Sequence, residues 1–479
     1  NADYYHLFTQ GPPGLATIST GANPSVHGIV SEYWQKRLQK KKIFCVDDDD
    51  FQTVGGNPKQ GRYSPQYLVS STIGDELKLS NNHQSKVIGI SLKHYSAILP
   101  SGHIADAAYW FDYTTGAWIT SSFYMDKLPA WVNKFNRKQL PDVYFQKEWN
   151  TLLPLKEYTE SQPDDNPYEK GLGVNQRTFP YDIKTLGMLN KTEKNYEILY
   201  SVPFGNTLTT DFALTAYFDE ELGKDEFPDI LTITYSATDK LTDHCGPLSV
   251  EMQDTYLRLD KEIAHLVEVV EEYTGKGKVV FILTSSQGVN YAPEYLKAAK
   301  MPGGRFKHYY TIALLKSYLN AIYGEGDWVS LYVNKQIYLN RELIEDSRLS
   351  LQEVQERTAL FMIQFTGVAN AITSHALNNT NFTEGIFEKM QNSYNQKRSG
   401  DVLLNLAPGW IEDIIAVTTG NSGYSYDTHV PLVWYGWKIN RGIITHPVSM
   451  TDIAPTVANF LNISFPSGCT GSPVWDLAK

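Results

Sequence analysis

The feature that most constrains the fold is a strand–helix–strand pattern in the middle of the chain. Residues 229–235 and 278–284 are short, nearly continuous runs of β-branched and other apolar side chains, which are typical of strands covered on both faces. Between them, residues 249–273 repeat apolar side chains on one helical face, and Gly275 and Gly277 follow as stop signals. A strand, a long helix and a second strand make a crossover unit, so we expect a largely parallel sheet.

Further patterns extend this unit into a larger α/β core. Residues 87–92 and 430–435 have the same strand pattern, and a helix signal begins near Thr451. We therefore predict an α/β fold with a mostly parallel central sheet and helices on both faces. Residues 110–215 and 325–405 fit a sheet poorly and are interpreted as cap insertions. The predicted core then comprises residues 1–109, 216–324 and 406–479.

Charge and cysteine content exclude several classes of protein. The formal net charge is −11, and the longest run of lysines is short, so nucleic-acid binding is not expected. No stretch approaches the ~18 consecutive apolar residues of a membrane helix, so no transmembrane segment is expected. The cysteines form no CxxC pair, which argues against a zinc site built on several thiolates. A disulfide between Cys245 and Cys469 stays open.

Polar residues gather where the predicted strands end, although common catalytic motifs are absent. The sequence contains no GxSxG elbow, P-loop, GxGxxG or HExxH pattern. In α/β sheets, ligands bind beyond the carboxyl ends of the strands. Residues 236–247 and 285–288 follow two of the predicted strands, and residues 423–429 precede the last one. We therefore expect a functional site to include these segments.

These segments resemble the alkaline phosphatase superfamily, most closely the bacterial phosphate-irrepressible alkaline phosphatases and their phosphodiesterase relatives. The resemblance covers nearly the whole chain and rests on residues 11–21, 24–30, 92–93, 99–108, 164–168, 204–207, 236–247, 285–288 and 426–431. It implies an alkaline-phosphatase-like core with cap insertions. It also implies two zinc ions that activate a Thr or Ser nucleophile and stabilise displacement at phosphorus.

Several positions that the resemblance assigns to catalysis carry unsuitable residues. The nucleophile position is Gly11, which has no side chain to attack phosphorus. One Asp-His pair of metal ligands falls on Ser286 and Gln287, neutral groups that are poor zinc ligands. The first core strand, which would supply a further carboxylate, has no counterpart, and we expect residues upstream of Asn1 in the native protein.

The positions implied to bind phosphate are altered as well. They fall on Glu32, Lys93 and Tyr95, of which only the lysine is positively charged. The charge of Glu32 would repel a phosphoryl group. We expect Lys93 to form a salt bridge with a nearby carboxylate such as Glu32, which would fill an empty phosphate site.

The second metal position is better preserved. Asp239 matches an expected aspartate, Asp243 stands where a histidine is expected, and His429 matches a late histidine. These side chains either form a hydrogen-bonded remnant without metal or hold a single divalent ion, for which zinc is the first choice. Without a cation, the two carboxylates would repel each other and raise a pKa.

The combined changes lead to three hypotheses. The leading one is a pseudoenzyme with no catalytic residue, which acts as a binding or structural subunit in a protein complex of the cell envelope. The second is a phosphomonoesterase or phosphodiesterase with one metal ion and a water nucleophile. The third is a protein that binds glycans or small ligands through aromatic residues of the cap.

The resemblance also bears on location and partners. We expect a bacterial protein of the periplasm or cell surface, with protein partners in an assembly that could be associated with a membrane.

Overall fold

The computed structural model describes residues 1–173, 176–189 and 195–477, in which short strands alternate with helices. The strands, in chain order, are β1 (Ala2–Asp3), β2 (Tyr33–Lys36), β3 (Lys41–Phe44), β4 (Thr53–Val54), β5 (Val87–Ser91), β6 (Ala107–Asp112), β7 (Ala117–Ser121), β8 (Glu148–Trp149), β9 (Tyr181–Asp182), β10 (Ile230–Thr234), β11 (Val280–Thr284), β12 (Gly304–Phe306), β13 (Val329–Val333), β14 (Gln336–Leu339), β15 (Val368–Thr373), β16 (Val402–Leu406), β17 (Trp410–Glu412), β18 (His429–Val430) and β19 (Leu432–Gly436).

The helices separate these strands. The α-helices, in chain order, are α1 (Pro12–Thr20), α2 (Pro24–His27), α3 (Ile73–Ser80), α4 (His94–Ser101), α5 (Ala130–Arg137), α6 (Leu140–Phe145), α7 (Ile183–Met188), α8 (Pro203–Asp219), α9 (Ala237–His244), α10 (Val250–Thr274), α11 (Pro293–Ala298), α12 (His308–Tyr323), α13 (Arg341–Asp346), α14 (Leu351–Met362), α15 (Ser374–Asn379), α16 (Gly385–Asn392), α17 (Ser425–Thr428) and α18 (Ile453–Leu461). Short 3₁₀ helices cover Arg37–Gln39, Leu155–Glu157, Glu197–Ser201, Met450–Asp452 and Trp475–Leu477.

A five-stranded sheet with the order β10-β5-β6-β7-β4 forms the centre of the molecule. Strands β10, β5 and β6 run parallel, whereas β7 and β4 are antiparallel to their neighbours. Helix α4 packs on one face and α8 on the other, so every residue of β5 is buried. This arrangement confirms the predicted α/β class with helices on both faces of the sheet.

The long helix α10 lies where the sequence predicts it. The Oγ atom of Ser249 accepts a hydrogen bond from the Met252 amide at 3.1 Å and caps the first turn. At the other end, Gly275 ends the helix with a φ of 107°, which other residues rarely adopt. The apolar face of α10 packs on α8 and on the core around β10.

Strand β11 does not pair in parallel with β10, as the predicted strand–helix–strand crossover would require. It is hydrogen-bonded antiparallel to β19 and, within the described part of the chain, not to β10. Ile282 of β11 and Trp434 of β19 pack in one cluster with Met450 and Ile453, at the start of α18. Strands β11 and β19 therefore form a separate two-stranded sheet, which packs against the residues at the start of α18.

The two regions interpreted as insertions are both well packed. Residues between 329 and 406 form an antiparallel sheet, β13-β14-β16-β15, covered by α12 and α14. In the earlier region, the rings of Trp118 and Phe212 stack with centroids 4.2 Å apart inside the main core. Its aromatic residues therefore contribute to the core.

Two predictions about the chain as a whole can be compared with the structure. Cys45, Cys245 and Cys469 are all free thiols, so the disulfide that the sequence left open is not formed. Among the described residues, no helix combines the length and apolar character needed to cross a bilayer.

Gly89 in β5 provides a test of the packing that positions α4. A Cβ atom at this position would lie 2.0 Å from Ser101 Oγ and 2.3 Å from the Ala97 carbonyl oxygen, both in α4. We expect Gly89→Ala to lower the free energy of unfolding by about 3 kcal/mol, because neither the strand nor the helix can move freely. The control is Gly442→Ala, where an added Cβ meets no atom within 4 Å and the expected change is below about 0.5 kcal/mol. Urea unfolding measures both, and an unchanged midpoint for Gly89→Ala would contradict this packing.

Candidate active site

The candidate site lies where the parallel strands β5 and β10 end. Ser91, the last residue of β5, is paired with Thr234, the last residue of β10. Lys93 follows β5 as the N-cap residue of α4, and Asp239 lies in the first turn of α9, which follows β10. Because neighbouring parallel strands end at the same edge of a sheet, these two side chains meet there.

Lys93 and Asp239 form an ion pair at this edge. The ammonium group donates a hydrogen bond to Asp239 Oδ2, and the lysine side chain is largely, but not fully, buried, while the aspartate is more exposed. Although burial opposes it, the negative charge of Asp239, with smaller contributions from Tyr95 and Glu32, raises the pKa of Lys93. The lysine is therefore a fixed positive charge. Its partner is Asp239 and not Glu32, the neighbour that the sequence favoured.

Tyr95 fills the space beside Gly11. A Cβ atom on Gly11 would lie 3.3 Å from the Tyr95 ring and its hydroxyl oxygen. The Lys93 ammonium lies 5.8 Å from the centre of the same ring, within range of a cation–π contact. Burial raises the pKa of Tyr95, so its hydroxyl group stays protonated at neutral pH.

Gln287 and Ser286 hold the start of α1 against the loop after β11. The Gly11 amide donates to Gln287 Oε1 at 2.7 Å. Gly14 lies so close to the Ser286 carbonyl oxygen that an added Cβ would be 2.1 Å from it. The structure thus brings Gly11, Gln287, Tyr95 and Lys93 together, with Ser286 acting through its backbone.

A cavity of about 260 Å³ opens beside this cluster. Burial raises the pKa of Glu32, which lines the cavity, although the charge of Lys93 acts in the opposite direction. Asn290 Nδ2, Asn334 Nδ2 and Asn421 Oδ1, from three of the lining residues, are buried without a hydrogen-bond partner in the protein. Such groups favour a polar occupant, which water or a ligand can provide.

Lys335 is a buried cation in the wall of this cavity. Its ammonium group donates to the Asn421 carbonyl oxygen, and burial lowers its pKa to about 8 against the opposing charges of Glu412 and Asp427. Sequence reasoning missed Lys335 because it lies in the region assigned to the second insertion. The available signal was the Asn334-Lys335 pair within the β-like residues 329–339, because Asn tolerates the positive φ that a two-residue hairpin turn requires. In the structure both residues have positive φ (50° and 58°), which places the lysine at a hairpin tip.

The remaining predicted metal ligands are less close together. Asp243 is 3.4 Å from the Lys240 ammonium, and His429 Nδ1 is 3.0 Å from Asp3 Oδ1. Within the described residues, the ligand atoms of Asp239, Asp243 and His429 do not all lie within 4.8 Å of one another. The two aspartates are one helical turn apart on α9. Burial raises the pKa of Asp243, and the charge of Asp239 adds to that effect.

Several characterised proteins are similar to this chain over almost its whole length. A protein from Myroides odoratus named as a calcium-transporting ATPase is 39% identical, covering 98% of this chain and 86% of the relative. The alkaline phosphatase PhoV of Synechococcus elongatus is 36% identical over 97% of this chain and 84% of its own. The alkaline phosphatase PafA of Elizabethkingia meningoseptica is 36% identical over 97% and 85%. A crystal structure of PafA matches all of this chain and 91% of its own, with 35% identity and a TM-score of 0.95.

These findings overturn the expectation of a pseudoenzyme that acts only as a binding or structural subunit. Identities of 36% to two alkaline phosphatases, with a backbone that matches one of them throughout, point to an active hydrolase. The prediction that the chain is not an enzyme is therefore wrong.

The family assignment rests on a match of most of the chain. Residues 8–421 match the family described as type I phosphodiesterase / nucleotide pyrophosphatase. The matched region contains both strand ends of the candidate site and the whole of the cavity-lining hairpin. The chain belongs to this family, and with it to the alkaline phosphatase superfamily that its sequence resembles.

Proposed function

We propose that the chain hydrolyses phosphate esters with water as the nucleophile, at the edge where β5 and β10 end. The observation that carries the proposal is the Lys93 ammonium, held charged at this edge next to Gly11 and Tyr95. A largely buried, permanently charged lysine at the carboxyl end of a parallel strand is suited to binding a phosphoryl group. The substrates are phosphomonoesters or phosphodiesters, in keeping with the family.

The residues of this chain would divide the work as follows. Lys93 binds a phosphoryl oxygen once Asp239 has another positive partner. The protonated Tyr95 hydroxyl can donate a second hydrogen bond to the same group, since its ring lies against Gly11. The missing side chain at Gly11 leaves the attacking position to a water molecule. Recognition and charge neutralisation therefore come from the ends of β5 and β10.

A single divalent metal ion, with zinc as our first choice, fits the carboxylates of α9. Asp239 and Asp243 lie one turn apart, and their mutual repulsion is the kind that a bound cation relieves. These two residues would hold the ion, and His429 would join them only by leaving Asp3. When bound, such an ion polarises the phosphoryl group and favours deprotonation of water near neutral pH.

The cavity beside the edge would take the alcohol part of the ester. Gln10 and Glu32 line the cavity on the side of Gly11 and Lys93, where the phosphoryl group would bind. One amide atom each of Asn290, Asn334 and Asn421 lacks a hydrogen-bond partner in its wall. This lining favours a polar leaving group that carries hydroxyl or amide functions over a purely apolar one.

The activity itself is the first test. We expect purified protein to hydrolyse p-nitrophenyl phosphate or bis-p-nitrophenyl phosphate when zinc is present, and chelation to abolish turnover. Asp239→Asn should reduce kcat/KM at least about 100-fold, because it removes both a metal ligand and the partner of Lys93. The matched control is Asp260→Asn on α10, an exposed aspartate that should leave turnover unchanged. Turnover at the level of buffer alone, for both substrates and with metal present, would refute the proposed function.

The pH dependence of KM tests the role of the cavity. The ammonium of Lys335 attracts an anionic substrate below its pKa of about 8, and this attraction disappears when the group loses its proton at higher pH. We expect KM to rise about tenfold between pH 7 and pH 9.5, which corresponds to ~1.4 kcal/mol. Lys335→Met should show the high KM already at pH 7 and a flat profile. If the profile of Lys335→Met has the same slope as that of the parent protein, the substrate does not reach the cavity.

We further infer that the protein works outside the cytoplasm, in the periplasm or at the cell surface, as the family resemblance implies. Cell fractionation with activity measurement tests this inference. Recovery of the activity with cytoplasmic markers would rule it out.

A further inference from the structure

A second group of possible metal ligands lies inside the protein, on the far end of α9 from Asp239. Glu169, Cys245 and Glu251 each offer one ligand atom, and these atoms all lie within 4.8 Å of one another. All three side chains are buried, with exposed fractions of 6%, 3% and 0%. Within the described residues, this is the one set of three or more such side chains that meets this distance.

The backbone around the cluster is fixed by three separate elements. Cys245 caps the C-terminus of α9, and its amide donates to the Leu241 carbonyl oxygen. Glu251 lies in the first turn of α10, where the helix dipole favours a negative charge. The amide of Lys170 donates to the His244 carbonyl oxygen at 2.9 Å, which pins Glu169 beside the end of α9. The ligand atoms are therefore placed before any ion binds.

The carboxylate oxygens of the cluster lack partners. Both oxygens of Glu169 and Oε2 of Glu251 are buried without a hydrogen bond, while the Tyr181 hydroxyl donates to the other Glu251 oxygen. The Asn166 side chain lies beside Glu169 and favours its ionised form, but neither Glu169 oxygen meets hydrogen-bond geometry. Buried carboxylates in this state cost several kcal/mol unless a proton or a cation neutralises them.

The surrounding charges do not supply that neutralisation. Asp164 adds negative charge next to both glutamates, and Arg177 acts on Glu169 but is itself paired with Asp165 at 3.0 Å. Burial, followed by the charge of Glu251, raises the pKa of Glu169. In the absence of a cation, this shift favours a proton held within the cluster.

We propose that Glu169, Cys245 and Glu251 bind one divalent metal ion of borderline softness, such as zinc, at a structural site separate from the candidate active site. One thiolate and two carboxylates are ligands that zinc accepts together, whereas calcium and magnesium reject sulfur. Tetrahedral ligands at bond lengths of about 2.0–2.3 Å lie about 3.3–3.8 Å apart, so the cluster needs little movement to close around an ion. A small cavity of about 10 Å³ borders Cys245 and Asn166 on one side of the cluster.

Such an ion joins three parts of the chain. Glu169 belongs to the region between β8 and α8, while Cys245 and Glu251 end α9 and begin α10. The ion would replace the trapped proton and deprotonate the thiol. It would therefore fasten the C-terminal end of the helix whose N-terminal turn carries Asp239.

Cobalt replacement separates this site from the one proposed for catalysis. Protein stripped of metal and loaded with Co²⁺ should show a thiolate-to-cobalt charge-transfer band, because Asp239, Asp243 and His429 contain no sulfur. The band should disappear in Cys245→Ser and remain in Cys469→Ser, the control at a thiol outside the cluster. Absence of the band in the parent protein, or an unchanged band in Cys245→Ser, would overturn the proposal even if other variants fail to fold.

Thermal unfolding distinguishes the ion from a shared proton. Zinc added to chelated Asp239→Asn protein, which lacks the candidate catalytic metal site, should raise Tm by about 5 °C through selective binding to the folded state. Adding Glu169→Gln to this variant keeps the shape of the side chain but removes a ligand of the buried cluster, so zinc should leave its Tm unchanged. A shared proton predicts the reverse: no thiolate band, no zinc effect on the Asp239→Asn protein, and no loss of stability when Glu169→Gln is added. That set of results would sink the metal site.

Discussion

The parallel pairing of β5 with β10 places the two charged groups at the centre of the candidate active site, Lys93 and Asp239. Its register aligns Ser91 with Thr234, so the residues that follow each strand emerge side by side. Lys93 then meets Asp239 without any long loop having to be ordered. The strand can be this deeply buried because Gly89 lets α4 approach within contact distance. A buried lysine without a partner would lose its proton, and the aspartate keeps it charged.

Buried charges elsewhere in the protein show how the fold normally neutralises them. Asp401 is fully buried and is held by Arg37 at 2.9 Å and Arg341 at 2.6 Å. Asp254 is equally buried and pairs with Arg258 at 2.6 Å. These pairs retain full hydrogen bonding to the carboxylates, which keeps the desolvation cost within what the fold tolerates. The cluster of Glu169, Cys245 and Glu251 departs from this rule, and a cation is the partner that would restore it.

The sequence was sufficient for the parts of the fold that depend on local pattern. Continuous apolar runs located β5, β10, β11 and β19, and the spacing of apolar residues located α10 to within about one residue. The resemblance located the family and the segments of the site. The apolar periodicity of a strand or helix can be recognised in the sequence because it reflects which face of the element is buried. It does not depend on which other element covers that face.

Features that depend on contacts between distant segments could not be predicted in this way. The choice of Asp239 over Glu32 as the partner of Lys93 follows from the strand register, which no local pattern encodes. The cavity joins Glu32 to Lys335, some three hundred positions later in the chain. The expectation of an inactive protein came from the combined changes at the nucleophile, metal and phosphate positions, and the similarity to alkaline phosphatases over nearly the whole chain overturns it.

The start of α1 offers few groups that could bind a phosphoryl group, so the site would depend on a bound ion for further positive charge. Gly11 has no side chain, its amide is used by Gln287, and Pro12 and Pro13 have no amide hydrogen to offer an anion. The N-terminus of α1 therefore contributes little to binding a phosphoryl group, although helix N-termini often do. Tyr95 lies against Gly11 and adds a hydroxyl group without positive charge. Lys93 is paired with Asp239, and the Lys240 ammonium lies 3.4 Å from Asp243, so both cations are already engaged by carboxylates of α9. An ion bound to these carboxylates would add positive charge and release Lys93 for a phosphoryl group.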